Sequence, residues 1–403
     1  MSEYSLFEVF GVEMEFMVVD RNSLNVRPVV DRLIEAKLGA PESDVENGVI
    51  DWSNELVNHV VELKYHEPYA SLALGADFHQ NVQEINQRLE SLDAMLLPTG
   101  AHPWMDPNTE TQLWPHEHSQ IYRLYNRIFD CRGHGWSNLQ STHLNLPFSG
   151  DEEFGKLHAA IRVILPLLPA LSASTPFLDG RATGVLDSRL DVYRTNQKRF
   201  PVITGLVVPE PVFTKADYHR QIFDPIREVI APYDEERILD QHFLNSRGAI
   251  ARFDRGAIEI RVLDLQECPQ VDLAILEATV RVLRKLVAQD DLMERIRSFP
   301  TARLADLLLR VIESGRQASV EWPELNEVLG VEASATTVGA LWEGALRGEP
   351  FSPEVSSCLS RLQEHGSLSE RILRRLPPDP PREALVEVYR ELAACLQRNE
   401  MLS

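Results

Sequence analysis

Four short stretches of the sequence carry polar residues at two-residue spacing inside otherwise apolar runs. They are Glu13 and Glu15 in FGVEMEF, Glu62 and Lys64 in NHVVELKYH, His143 and Asn145 in LQSTHLNLPF, and Glu259 and Arg261 in RGAIEIRVLD. Side chains alternate across a β-strand, so each pair shares one face and its apolar neighbours share the other. Val12, Met14 and Phe16 then face a core, and the two N-terminal carboxylates stand side by side. Like charges so placed repel, and something must offset the cost. A divalent cation would do so. Carboxylates with one imidazole suit Mg²⁺ or Mn²⁺, whereas structural zinc prefers Cys and His. The plainer reading is a solvated sheet face, where charge is the default. It fits one strand better than four, because an ordinary exposed face is also rich in Lys and Thr.

These pairs need elements to hold them. The alternation predicts strands over residues 10–20, 58–66, 139–148 and 255–264. Helical spacing of Phe78, Val82, Ile85, Leu89 and Leu92 predicts a helix over 75–97. A second apolar helix is predicted over 153–175, kinked or split by Pro166 and Pro169. A third follows the last strand, over 271–289. From about residue 290 the pattern is helical to the end, with RGEPFSP and PPDPP as linkers. No boundary in composition divides the chain. The expectation is one α+β domain, with a sheet-containing core over 1–290 and a helical part over 291–403 packed on it.

Composition narrows the partners. The 403 residues are 44% hydrophobic and 25% charged, ordinary for a soluble protein, with a net charge of −21. That balance argues against nucleic acid and anionic membranes as partners. No run approaches the ~18–20 apolar residues of a membrane span. The start of the chain lacks the basic and apolar regions of a signal peptide. Cys131, Cys268, Cys358 and Cys395 are scattered, which reads as reduced thiols in a cytoplasmic protein. No GxxxxGK[ST], GxGxxG, GxSxG or HExxH motif is present. The run HEH at 116–118 has the wrong spacing for a helical histidine pair, and CRGHGW (131–136) reads as a turn.

The four strands resemble those of the glutamate–cysteine ligase superfamily. GVEMEF is similar to its Gly-x-Glu-x-Glu strand, NHVVEL to its second strand, STHLNLPF to its His-x-Asn (or His-x-His) strand, with Asn145 where much of the GCS2 branch has a second histidine, and AIEIRVLD to its Glu-x-Arg-x-x-Asp strand. LPTGAHPW (97–104), LPALSASTPFLDGRATGVLDSRLDVYR (168–194) and GSLSERILRRL (366–376) look like segments of its carboxylate–amine ligase branch, GCS2. The resemblance implies a glutamine-synthetase-like fold, with a curved antiparallel sheet forming a funnel. It implies a small-molecule acid joined to an amine at the expense of ATP and Mg²⁺ (or Mn²⁺), with glutamate and cysteine as the default pair. By the match, Glu13, Glu15, Glu62, His143 and Glu259 would hold metal. Arg261 would contact phosphate, with Arg252 and Arg255 as further phosphate candidates, and Arg189 would bind a substrate carboxylate. Asn145 and Lys64 would lie on the substrate side, Lys64 as a departure from the threonine-like residue of the family. A homodimer is a state met in the branch that no heptad seam here decides. The competing readings are a guanidino-kinase-like phosphotransferase on the same fold, or a non-catalytic metal- or nucleotide-binding relative.

Overall fold

Eight strands pair into one antiparallel sheet: β1 (Gly11–Asp20), β2 (Asp44–Val45), β3 (Ile50–Asn54), β4 (Val60–Tyr65), β5 (Ala94–Leu97), β6 (Ser141–Pro147) and, after a two-stranded ribbon of β7 (Phe177–Leu178) and β8 (Arg181–Ala182), β9 (Ala249–Arg252) and β10 (Ala257–Asp264). The strand order is β2-β3-β4-β1-β6-β10-β9, and β5 pairs with the far end of β1. This computed structural model describes residues 4–403. The first three positions of the N-terminal stretch read above for a leader lie outside it.

β1 is central because it serves three neighbours. Residues 13–17 pair with β4, residues 11–14 with β6, and residues 17–20 with β5. Its even-numbered residues build the core: Val12, Met14, Phe16 and Val18 are all but inaccessible to solvent. They share one apolar core with Val61 and Leu63 of β4, Leu144 and Leu146 of β6, and Ile258, Ile260 and Val262 of β10. Helices Gly75–Leu89, Gly150–Ile164 and Pro269–Val287 contribute to the same core. The expected helix over 153–175 is split where the prolines stand: it ends at Ile164, passes through a short turn at Leu165–Leu167, and resumes as Pro169–Ser172.

The helix expected over 75–97 is shorter than its periodicity suggested. It ends at Leu89, Asp93 turns the chain in a left-handed conformation (φ 51°), and Ala94–Leu97 becomes β5. AMLL satisfies either period, and the free edge of β1 decides it. β3 and β9 were not expected either. β3 carries the buried Trp52, whose Nε1 donates to Asn81 Oδ1 at 2.6 Å.

Helices from Met293 onward lie against this framework rather than apart from it. Leu304, Leu308, Trp342 and Leu396 belong to the main core. Helix Arg382–Arg398 closes a second cluster around Met17, Val19 and Leu97. All four cysteines are buried and unpaired. No helix among the described residues is long and apolar enough to cross a membrane.

Truncating Phe16 tests how far the sheet depends on β1. Phe16→Ala is expected to lower the unfolding free energy by about 3–5 kcal/mol in urea denaturation. A loss below about 1 kcal/mol would show that the apolar face of β1 does not anchor the sheet.

Candidate active site

Strand pairing arranges the polar residues in rows on the face opposite the core. Glu13 stands opposite Lys64 on β4 and His143 on β6, Glu15 opposite Glu62, and Asn145 opposite both Gly11 and Glu259. Between Ile260 and Leu263 the β10–β6 register shifts by one residue. This β-bulge places Arg261 and Val262 together opposite His143 and aims Arg261 at the same row. Gly11 is needed for close approach, since a Cβ there would meet Asn145 Cβ at 3.0 Å.

Each carboxylate is held. Glu13 Oε2 lies 2.9 Å from His143 Nδ1, and Glu13 Oε1 accepts from Asn145 Nδ2 at 3.0 Å. Glu15 Oε2 accepts from the Ser141 backbone N–H (2.7 Å) and hydroxyl (2.9 Å). Ser53 Oγ donates to Glu62 Oε1 at 2.7 Å. Arg261 Nε donates to Glu259 Oε1 at 2.9 Å, and Arg252 Nη1 to Glu259 Oε2 at 3.3 Å.

The resulting electrostatics divide the carboxylates. Burial alone would raise Glu259, but Arg261 and His143 outweigh it and bring its carboxyl down to about 2. Burial is likewise outweighed at Glu13, where the His143 hydrogen bond lowers the carboxyl. His143 rises in turn: burial opposes its charge, but Glu13, Glu15 and Glu259 together favour the imidazolium. Glu62 goes the other way. Burial and the neighbouring Glu13 push it up to about 7 against the pull of Lys64.

Two groups of ligand atoms lie within 4.8 Å of one another: Glu13, Glu62 and His143, and Glu15, Glu55 and Glu62. The donor set fits hard divalent cations, and raised carboxyls are what such cations would relieve. Glu62 is common to both groups. Glu55 was not among the expected ligands. It follows β3 on the turn into β4, where no strand alternation marks it, and burial with Glu62 and Glu15 raises its carboxyl well above the ordinary range.

Two expected substrate contacts need correcting. Arg189 borders the cavity, but its Nε donates to buried Asp264 at 2.6 Å and its Nη2 to the carbonyls of Arg261 (3.0 Å) and Leu263 (2.9 Å). It braces the end of β10 instead of waiting as a free cation. The other oxygen of Asp264 accepts from the Ser174 N–H at 2.9 Å and the Thr175 hydroxyl at 2.9 Å, and Gly100 packs so close that a Cβ would meet Asp264 at 2.6 Å. Asn145 spends its amide N–H on Glu13, and its Oδ1 is buried without a partner. It therefore positions a ligand and does not line the cavity. Lys64 does line it, with Nζ 2.7 Å from Asp44 and 3.6 Å from Glu62. Arg255 also lines it, more than half exposed, with Asp254 at 3.9 Å and close enough to Glu13 to help lower its carboxyl. The HEH run divides: His116 pairs with Asp31 at 3.3 Å and His118 sits at the cavity rim, so neither joins a ligand group among the described residues.

The cavity over this floor measures about 520 Å³. Its roof comes from helix Ser119–Phe129 (Tyr122, Tyr125), the segment bearing Trp136, helix Ser188–Asn196 (Tyr193) and the exposed Phe243. Sheet, cavity and ligand set suit a divalent cation beside an anion, and the family match supplies the class, the ATP-dependent ligases that form C–N bonds. The chain belongs to glutamate–cysteine ligase family 2 (GCS2), whose profile matches residues 9–391. It is 33% identical over 400 residues to an uncharacterised protein of Archaeoglobus fulgidus, covering 98% of this chain and 100% of that one. It is 23% identical to an Enterobacter protein under the provisional name glutamate–cysteine ligase 2, over 89% of this chain and 95% of that one. Among solved structures it is similar to a bifunctional glutathione synthetase from Pasteurella multocida (TM-score 0.59, 15% identity) and a glutamate–cysteine ligase from Francisella tularensis in complex with AMP (TM-score 0.57, 14% identity). It covers 53% and 90% of those chains, each match taking in 98% of this one. The fold is the expected glutamine-synthetase-like one, α+β with an open antiparallel sheet.

Two measurements follow. Arg189→Met removes the partner of a buried carboxylate and is expected to cost about 3–5 kcal/mol, read as a clear fall in Tm. An unchanged Tm with weakened substrate binding would restore Arg189 as a substrate contact. Because Glu62 holds its proton up to about pH 7, metal binding must displace it. Affinity for Mg²⁺ is expected to weaken by up to about tenfold per pH unit below 7 for each proton displaced. Calorimetry at pH 6 in two buffers of different ionisation enthalpy should register proton release, and zero protons would remove the ligand role of Glu62.

Proposed function

We propose that this chain is an ATP- and Mg²⁺-dependent ligase that forms an amide bond of γ-glutamyl or peptide type through an acyl phosphate. Glutamate with cysteine or another amine is the default pair. One observation carries the reading: carboxylates and an imidazole from separate strands converge within 4.8 Å, beside three arginines on the adjoining β9–β10 edge. ATP in this scheme phosphorylates the acid, the amine attacks the acyl phosphate, and phosphate leaves. No nucleophilic side chain is required.

Glu13, Glu15, Glu55, Glu62 and His143 would hold the metal, with Glu259 alongside. Bound Mg²⁺, or Mn²⁺, would supply charge neutralisation for the triphosphate and the transferring group. Arg261 is suited to the phosphoryl oxygens, because a guanidinium fixed by Glu259 presents its remaining donors in one plane. Arg255, the least encumbered of the arginines, reaches the same end of the cavity. The aromatic roof limits access of water to an acyl phosphate. A homodimer is part of the proposal only as the assembly met in the family.

The test is ADP release in the presence of Mg²⁺, ATP and a panel of acids and amines, with products identified by mass. ADP release that requires both acid and amine is the expected result. Release with one substrate, yielding a phosphorylated product, would replace the ligase reading by the phosphotransferase one. No release with any pair would sink both. A Glu13→Gln, Glu259→Gln double variant, confirmed as folded by circular dichroism, should lose at least about 100-fold in kcat, and unchanged activity would overturn the metal and phosphate assignments.

A further inference from the structure

Apart from Arg189, which is spent on Asp264, the lysine and arginine side chains that line the cavity fall at two ends. Arg252, Arg255 and Arg261 belong to β9, the β9–β10 turn and β10, whereas Lys64 stands on β4 with β1 and β6 between. At about 4.8 Å per strand spacing, β4 and β10 lie ~14 Å apart. The arrangement is close to symmetric. Glu62 and Lys64 are two residues apart on β4, as Glu259 and Arg261 are on β10, and the ligands of β1 and β6 fill the space between.

Lys64 is the one lysine on this lining. Its Nζ lies 2.7 Å from Asp44 Oδ1 and 3.6 Å from Glu62 Oε1, and its side chain is 30% exposed. An ammonium has three donors, so at least one remains for a ligand. Asp44 reaches Lys64 through one oxygen and is 62% exposed. Of the other polar residues lining this end, Ser43, Ser53, Asn54, Glu55, Glu62 and Tyr122 carry no positive charge, and the exposed His118 stands 3.9 Å from Glu117. Phosphoryl transfer sets the attacking and leaving oxygens roughly in line through the transferred group, so the acid approaches from the side away from the triphosphate. With the triphosphate at the arginine end, the acid is left with the Lys64 end.

We infer that the Lys64–Asp44 pair reads the non-reacting end of the acid substrate. The Lys64 ammonium receives a second carboxylate and Asp44 receives an α-ammonium. The mutual ion pair keeps both side chains satisfied until the zwitterionic end of the substrate meets them with complementary charges. This assignment rests on the ligase reading above. It makes Lys64 and Asp44 specificity-determining residues and excludes simple monocarboxylic acids as preferred substrates.

Equilibrium binding tests it without turnover. Calorimetry on the full chain with Mg²⁺ and a non-hydrolysable ATP analogue compares glutamate, 4-aminobutyrate (no α-carboxylate) and glutarate (no amino group). The wild type should bind glutamate roughly tenfold or more tighter than either analogue. Lys64→Met should erase the preference over 4-aminobutyrate, Asp44→Asn the preference over glutarate, and Lys64→Arg should keep both. Equal weakening of all three acids in Lys64→Met, or no change, would overturn the inference, since a merely structural lysine does not alter a ratio. A wild type without preference for glutamate would also overturn it, even if ADP release with another acid and amine upheld the ligase reading. Absence of ADP release with every pair would sink that reading instead, and the binding ratios would still decide the role of Lys64.

Discussion

Crowded negative charge is the constraint around which this protein is organised. Carboxylates from β1, the β3–β4 turn and β4 meet within 4.8 Å. Two charges ~5 Å apart at an effective dielectric of about 20 repel by about 3 kcal/mol, and several such pairs share one face. On that face apolar burial begins only past the carboxylates, where Met17 and Val19 pack under helix Arg382–Arg398. The stabilisation comes from the other side, where Val12, Met14, Phe16, Leu63, Leu144 and Ile260 are sealed in the core. A strand register holds both sides at once: a slip by one residue would bury the carboxylates and expose the core.

Around that constraint the protein places three kinds of local relief. His143 and Asn145 share Glu13, the serines Ser53 and Ser141 donate to Glu62 and Glu15, and Arg252 and Arg261 clamp Glu259. Glu55 and Glu62 receive the least and retain protons that a cation would replace. The gradient from a strongly acidic Glu259 to a nearly neutral Glu62 runs across the sheet from the arginine edge towards β4. In the proposed reaction it would set the phosphate-binding end apart from the substrate end within a single cavity.

The sheet's polar face was legible in the sequence because alternation is local. Each Glu-x-Glu or Glu-x-Arg pair announces its own strand, and four such strands with one chemistry imply a common face. Glu55 was hidden because its position depends on the turn that carries β3 into β4. The brace formed by Arg189 was hidden for another reason: its partner, Asp264, is 75 residues away, and a buried arginine reads in sequence like one waiting for a ligand. The segments 97–104 and 168–194 stand out as motifs, yet the parts resolved at Asp264 (Gly100, Ser174, Thr175 and Arg189) serve to fix the end of β10. β5 was missed because four apolar residues carry too little periodicity to choose between helix and strand.

The antiparallel pairing of β6 with β10 joins residues more than 100 positions apart, and β10 is the last strand of the sheet to be synthesised. Contacts of that separation carry a high loop-closure cost and form late in folding. A nascent or truncated chain ending before residue 257 would possess the carboxylates of β1 and β4 and His143 of β6, but neither Glu259 nor Arg261. The clamp on Glu259 thus arrives only with the completed core, so that the proposed phosphoryl transfer would be tied to the closing step of folding.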